Sequence, residues 1–191
     1  VTGLAAGLTM ADGFQGTGNL SITTANSSQT IDLGDTVTFA TAAIDADLIG
    51  DNLDLTLIGA ETSLTVSSVN GNIDASGYTG TLAATVVNTA ATIVSTGSAT
   101  NTIIPEGDAD VLLTIVAGAG ALAISDGGAV QGDLTVTGLA AGLTMANDFQ
   151  GTGDLSITTT AAGQTIALGA STTLTTAAVN ANLIADGAAL V

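Results

Sequence analysis

The sequence predicts an all-β chain folded as a parallel β-solenoid (a β-helix) of stacked short strands, with tandem β-sandwich modules as the alternative. Short segments alternate apolar residues with Thr or Ser at period two, as in "LTVTG", "LSITT", "TVTFAT", "LDLTLIG", "LTVSSV" and "TIVSTG". They begin about every ten residues. Between them stand the turn-forming pairs and triplets Gly34-Asp35, Asn70-Gly71 and Asp126-Gly127-Gly128. The third observation is repetition: "VTGLAAGLTM" occupies positions 1–10 and again 136–145.

Composition favours the solenoid over the sandwich. Hydrophobic residues are 46% of the chain but aromatics only 2%, so the apolar mass is Ala, Val, Ile and Leu among Thr, Ser and 25 Gly. Small and β-branched side chains suit thin strands stacked about 4.8 Å apart over a narrow dry interior. Gly and Asn supply the backbone conformations that tight corners need. With three strands per coil, a unit of 65–70 residues would make about three coils, and the whole chain a rod of about 40 Å.

The repeat organises the chain. Val1–Thr56 aligns without gaps on Val136–Val191, with 35 identities in 56 positions. A weaker half-period relates "LTVSSVNGNIDASGYTG" from Leu64 to "LTVTGLAAGLTMANDFQG" from Leu134, with Tyr78 in the place of Phe149 and Gly80 in that of Gly151. Residues 1–135 then form one supra-repeat of two sub-repeats of about 65–70 residues. Residues 136–191 begin the next copy, and the chain is expected to be a window of a longer array.

Two segments could be read otherwise. "ATAAIDADLIG" (Ala40–Gly50) is the best helical candidate, but strand and turn fit it better. "VLLTIVAGAGALAI" (Val111–Ile124) is the longest apolar run, too short and too interrupted by Gly118 and Gly120 for a membrane span, and reads as two buried strands around a Gly-Ala-Gly turn.

The charge pattern excludes several functions. The chain has no Lys, Arg, His or Cys, and its net charge is −17, from fifteen Asp, Glu61 and Glu106. Nucleic acid would meet only like charge, and membrane insertion is not expected. Ser-His-Asp, Cys-His and Schiff-base chemistry cannot be built, and the expectation is that the protein is not an enzyme. Cations are the natural small partners. Calcium takes clustered oxygens, and two segments could offer them: "PEGDAD", with Glu106, Asp108 and Asp110, and "DADLIGDNLD", with Asp45, Asp47, Asp51 and Asp54. The alternative is a solvated acidic turn. It is stronger for the second segment, whose counterpart reads "NANLIADGAA". Asp12, Asp45 and Asp47 become Asn147, Asn180 and Asn182, and Asp32 and Asp35 become Ala167 and Ala170, a scatter that a fixed metal site would not tolerate. Thr ranks on a flat face could order ice, but ordinary β-propensity accounts for them better.

"LTVSSVNGNIDASGYTGTLAATVV" (Leu64–Val87) followed by "TIVSTGSATNTI" (Thr92–Ile103) resembles the "beta strand repeat" arrays of very large bacterial surface proteins, grouped with type I-secreted, haemolysin-like adhesins. The resemblance implies an extracellular or cell-surface, export-dependent structural array, commonly assisted by calcium, although the glycine-rich calcium nonapeptide is absent. Two functions are expected from this. One is a structural repeat of a filament or surface layer, with other copies of itself and divalent cations as partners. The other is a stalk or binding module of a large adhesin.

Overall fold

The computed structural model describes residues 1–61, 63–161 and 164–181, and among them there is no helix. Strands alternate between two parallel sheets. The first sheet holds β1 (Leu8–Thr9), β3 (Gln29–Asp32), β5 (Asp54–Gly59), β7 (Asn72–Tyr78), β9 (Thr92–Ser95), β11 (Leu113–Val116), β13 (Leu134–Leu139), β15 (Asp154–Thr159) and β17 (Thr176–Asn180). The second holds β2 (Asn19–Thr23), β4 (Thr41–Asp45), β6 (Ser63–Val69), β8 (Thr81–Val86), β10 (Asn101–Pro105), β12 (Leu122–Ile124), β14 (Leu143–Met145) and β16 (Ile166–Ala167). This is a β-solenoid of about eight turns. Ala40–Gly50 is strand and turn, and Val111–Ile124 supplies β11 and β12.

Each coil has two strands, not the three expected. The alternation shows how long a strand step is, but not how many steps close a coil. Two suffice because the inward side chains of the facing sheets fill the interior directly. Ile22, Ile44, Val66, Ala84, Ile103, Ile124 and Met145 form one inward ladder, and Val94, Ile115, Val136 and Ile157 form part of the opposite one. All are buried. Each fully buried Ile or Leu stabilises by about 1.5–3 kcal/mol. Within the first sheet Leu113, Leu134 and Leu155 also stack, at 21-residue spacing.

The 135-residue repeat has an unexpected geometry. It carries β1 to β14, β2 to β15, β3 to β16 and β4 to β17. That is thirteen strand steps, an odd number, so the same sequence lies in opposite sheets in its two copies. Leu20, Ile22 and Thr24 therefore face inward from one side, and Leu155, Ile157 and Thr159 from the other. A two-strand coil tolerates this exchange because both sheets turn buried aliphatic side chains inward. The backbone repeats as well. Ser68 and Gly138 are left-handed (φ 59° and 72°) at register shifts in β6 and β13, and Gly3 (φ 64°) is their counterpart at the start of the chain. Gly13 and Asp148 are likewise left-handed (φ 74° and 67°), a conformation that Asp tolerates better than most residues.

The two largest side chains among the fully buried residues, Tyr78 and Phe149, close corners. The Tyr78 hydroxyl donates to the Glu61 carbonyl oxygen at 2.6 Å. Burial, and then the charge of Glu61, push this phenol well above its ordinary value. A phenol held protonated in the fold contributes stability that is complete below the unfolded value of about 10 and is lost as pH rises beyond it. With no Lys or Cys in the chain, Tyr78 is the only side chain ionising in that range. Thermal melts between about pH 8 and 12 should therefore show a falling Tm in the native chain and a flat one in Tyr78→Phe. Equal slopes would remove Tyr78 as the cause.

Candidate functional site: an acidic edge and an uncharged face

The two edges of the solenoid differ in charge. One edge of the solenoid is made by the corners that lead from the second sheet to the first. Eight acids lie in these corners: Asp47, Asp51, Glu106, Asp108, Asp110, Asp126, Asp133 and Asp148. Asp45, Asp54 and Asp154 sit at the strand ends that flank them. Eleven of the sixteen acids among the described residues thus share one edge. The opposite edge carries none from Thr79 to Ala161, where its corners are built of Gly, Ala, Ser and Thr. Among the described strands of the second sheet, Asp45 is the one charged residue.

All seven acids singled out for calcium lie on the acidic edge and are exposed. The structure does not bring them together: among the described residues no three acids form a group that could hold a metal ion. Four of the seven, Asp45, Asp51, Asp54 and Asp108, turn an oxygen to the chain itself. Asp45 Oδ1 accepts from the Asp47 N–H at 3.3 Å and Asp108 Oδ1 from the Asp110 N–H at 3.4 Å, both Asx turns. Asp32, Asp74 and Asp126 do the same for Gly34, Ser76 and Gly128. Asp51 accepts from the Thr89 hydroxyl, and Asp54 from the Asn72 amide at 2.9 Å.

Other side-chain oxygens join successive coils. Asp12 Oδ1 accepts from the Asp35 N–H at 2.9 Å, and its counterpart Asn147 accepts from the Ala170 N–H at 2.8 Å. An oxygen is what the position requires, and Asp and Asn both carry one. The same arrangement joins Asp133 to the Asp154 N–H and Asn72 to the Ile93 N–H. The exchange of Asp47 for Asn182 and the segment "LIADGAA" lie outside the described residues.

Sequence reasoning missed a set of amides that hold the corners. Gln29, Asn101, Gln131 and Gln164 are buried, and each donates its NH₂ to corner or strand-end carbonyls, Ala25, Ala99, Val111 and Leu139 among them. The retention of Gln29 as Gln164 was the available signal. On the outer face of the first sheet, Asp54, Thr56, Asn72, Asp74, Ile93 and Ser95 line an open groove of about 290 Å³. Its two carboxylates already accept from Asn72 and Ser76.

Compared with known proteins, the chain matches no protein-family model, no curated protein and no solved structure.

Proposed function

We propose that this chain is a structural repeat of an extracellular bacterial filament or surface layer whose units assemble end to end. The observation that carries the reading is the phase of the repeat: 135 residues advance the stack by a whole number of strand steps, so a further copy continues both parallel ladders without a break. Acids confined largely to one edge and turned outward suit a rod that stays solvated along its length, with divalent cations as screening partners of that edge. The resemblance to surface-protein arrays supports the extracellular setting.

Electron cryo-microscopy of the native material, with and without a chelator, tests the proposal. Long fibres with a repeat of about 4.8 Å along the axis are expected in both conditions. Discrete particles, or compact beads on a string, would sink the filament reading and favour an adhesin array.

A further inference from the structure

We infer that the corner at residues 106–111 binds one hard cation of calcium's size, seated between the Asn88 amide of the coil before it and the Gln131 amide of the coil after it. This is a single fixed ion, distinct from the diffuse screening proposed for the acidic edge, and it stands whether or not rods join end to end.

Three successive coils bring Asn88, Gly107 and Gln131 together on the acidic edge, after β8, after β10 and before β13. The Asp108 N–H donates to the Asn88 carbonyl oxygen at 3.3 Å, and the Asp108 carbonyl oxygen accepts from the Gly132 N–H at 3.2 Å, so the loop is held from both sides. Gly107 leaves a space that a side chain would fill. A Cβ there would overlap Asn88 Oδ1 and lie 2.8 Å from Gln131 Oε1. Two amides on opposite coils thus turn an oxygen toward the same glycine.

Both amides are 0% exposed, and neither of these oxygens accepts a hydrogen bond. Gln131 is fixed in this orientation, because its Nε2 donates to the Val111 carbonyl oxygen at 3.0 Å. Buried amide oxygens in folded chains nearly always have a partner. Two that converge call for a cation, or for a water that donates twice. The surroundings select the cation. Glu106, Asp108 and Asp110 stand within three residues of Gly107, all exposed, and the chain has no Lys, Arg or His to offset them. Calcium takes about six to eight oxygens in a flexible shell, neutral amide and carbonyl oxygens among them, whereas magnesium demands a tight octahedron and keeps its water. Two amide oxygens fixed by the stacking of coils suit calcium, with water and the carboxylates of the loop completing the shell.

Isothermal titration of the chelator-stripped full chain with calcium chloride and, separately, magnesium chloride in about 0.15 M salt tests this, with thermal melts of the same samples. One saturable calcium site per chain is expected, with magnesium at least about tenfold weaker and a Tm that rises with calcium. Asn88→Leu removes the oxygen at similar volume and is expected to abolish both the binding heat and the Tm rise. Asp47→Asn, elsewhere on the same edge, is expected to change neither. Should Asn88→Leu fail to fold, Asn88→Asp keeps the shape, adds a charge and is expected to tighten calcium binding at least about tenfold. No saturable site, weak binding at many sites that salt removes, magnesium bound as tightly as calcium, or a site indifferent to both Asn88 variants would overturn the inference. A native Tm that ignores calcium but rises on Asn88→Leu would overturn it in favour of a buried water.

Discussion

Phe149→Ala is expected to destabilise the chain by about 3–5 kcal/mol, and Phe14→Ala by less than about 1 kcal/mol. The two residues are the same letter at the same place in the repeat, 135 positions apart. Phe149 is 2% exposed, packed into the core between coils that lie on both sides of it. Phe14 is 48% exposed, with Phe39 as its ring neighbour at a centroid distance of 5.5 Å. Truncating Phe149 leaves a cavity that stacked backbones cannot collapse without breaking the register of the Gly151–Thr173 and Thr173–Phe149 hydrogen bonds. Truncating Phe14 exposes little that is not already wet. Urea titrations of the two variants measure the difference. Equal losses would mean that repeat identity, rather than position in the stack, decides the energy.

That pair shows why part of this fold was legible in the sequence and part was not. Strands are local: "LSITT" alternates at period two, and both copies, β2 and β15, are strands although they lie in opposite sheets. The number of strands per coil is not local. Three-strand and two-strand coils can share one strand step, and only the stacking of Leu113 on Leu134 rather than on a nearer strand distinguishes them.

Most of the acids lie at the surface as their scatter suggests, with Glu61 buried, but the sequence does not show what they do there. Spacing could group Glu106, Asp108 and Asp110, or Asp45, Asp47, Asp51 and Asp54, as calcium ligands. It could not show that Asp45 and Asp108 each spend an oxygen on the backbone two residues on. The exchange of Asp12 for Asn147 argues in the sequence against a fixed metal site, and in the structure it keeps an acceptor for the next coil. Nor could the segregation of charge be seen before the coil phase was known, because Asp51 and Asp133 share an edge only once the chain is wound.

Gly120→Ala is expected to cost about 3 kcal/mol or more, although a single methyl is added at a corner with ordinary backbone angles. A Cβ there would lie 1.7 Å from the Ala99 carbonyl oxygen, 2.3 Å from its carbon and 2.7 Å from the Ser98 carbonyl oxygen. All three are backbone atoms of the coil below, so no side chain can swing aside. The strain must instead part the coils, and the Asn101 N–H donated to the Ala121 carbonyl oxygen at 2.9 Å stands next in line to lengthen. Gly18 is the control: nothing lies within 4 Å of its Cβ position. Gly18→Ala is expected to be neutral or to stabilise by up to about 1 kcal/mol, through a less flexible unfolded chain. Thermal melts of both variants, with amide hydrogen exchange at Asn101, decide the matter. A Gly120→Ala chain as stable as Gly18→Ala would show that the corners are looser than their contacts imply. Loss confined to Gly120→Ala, with faster exchange at Asn101, would identify close corner stacking as what allows the two sheets to share one narrow core.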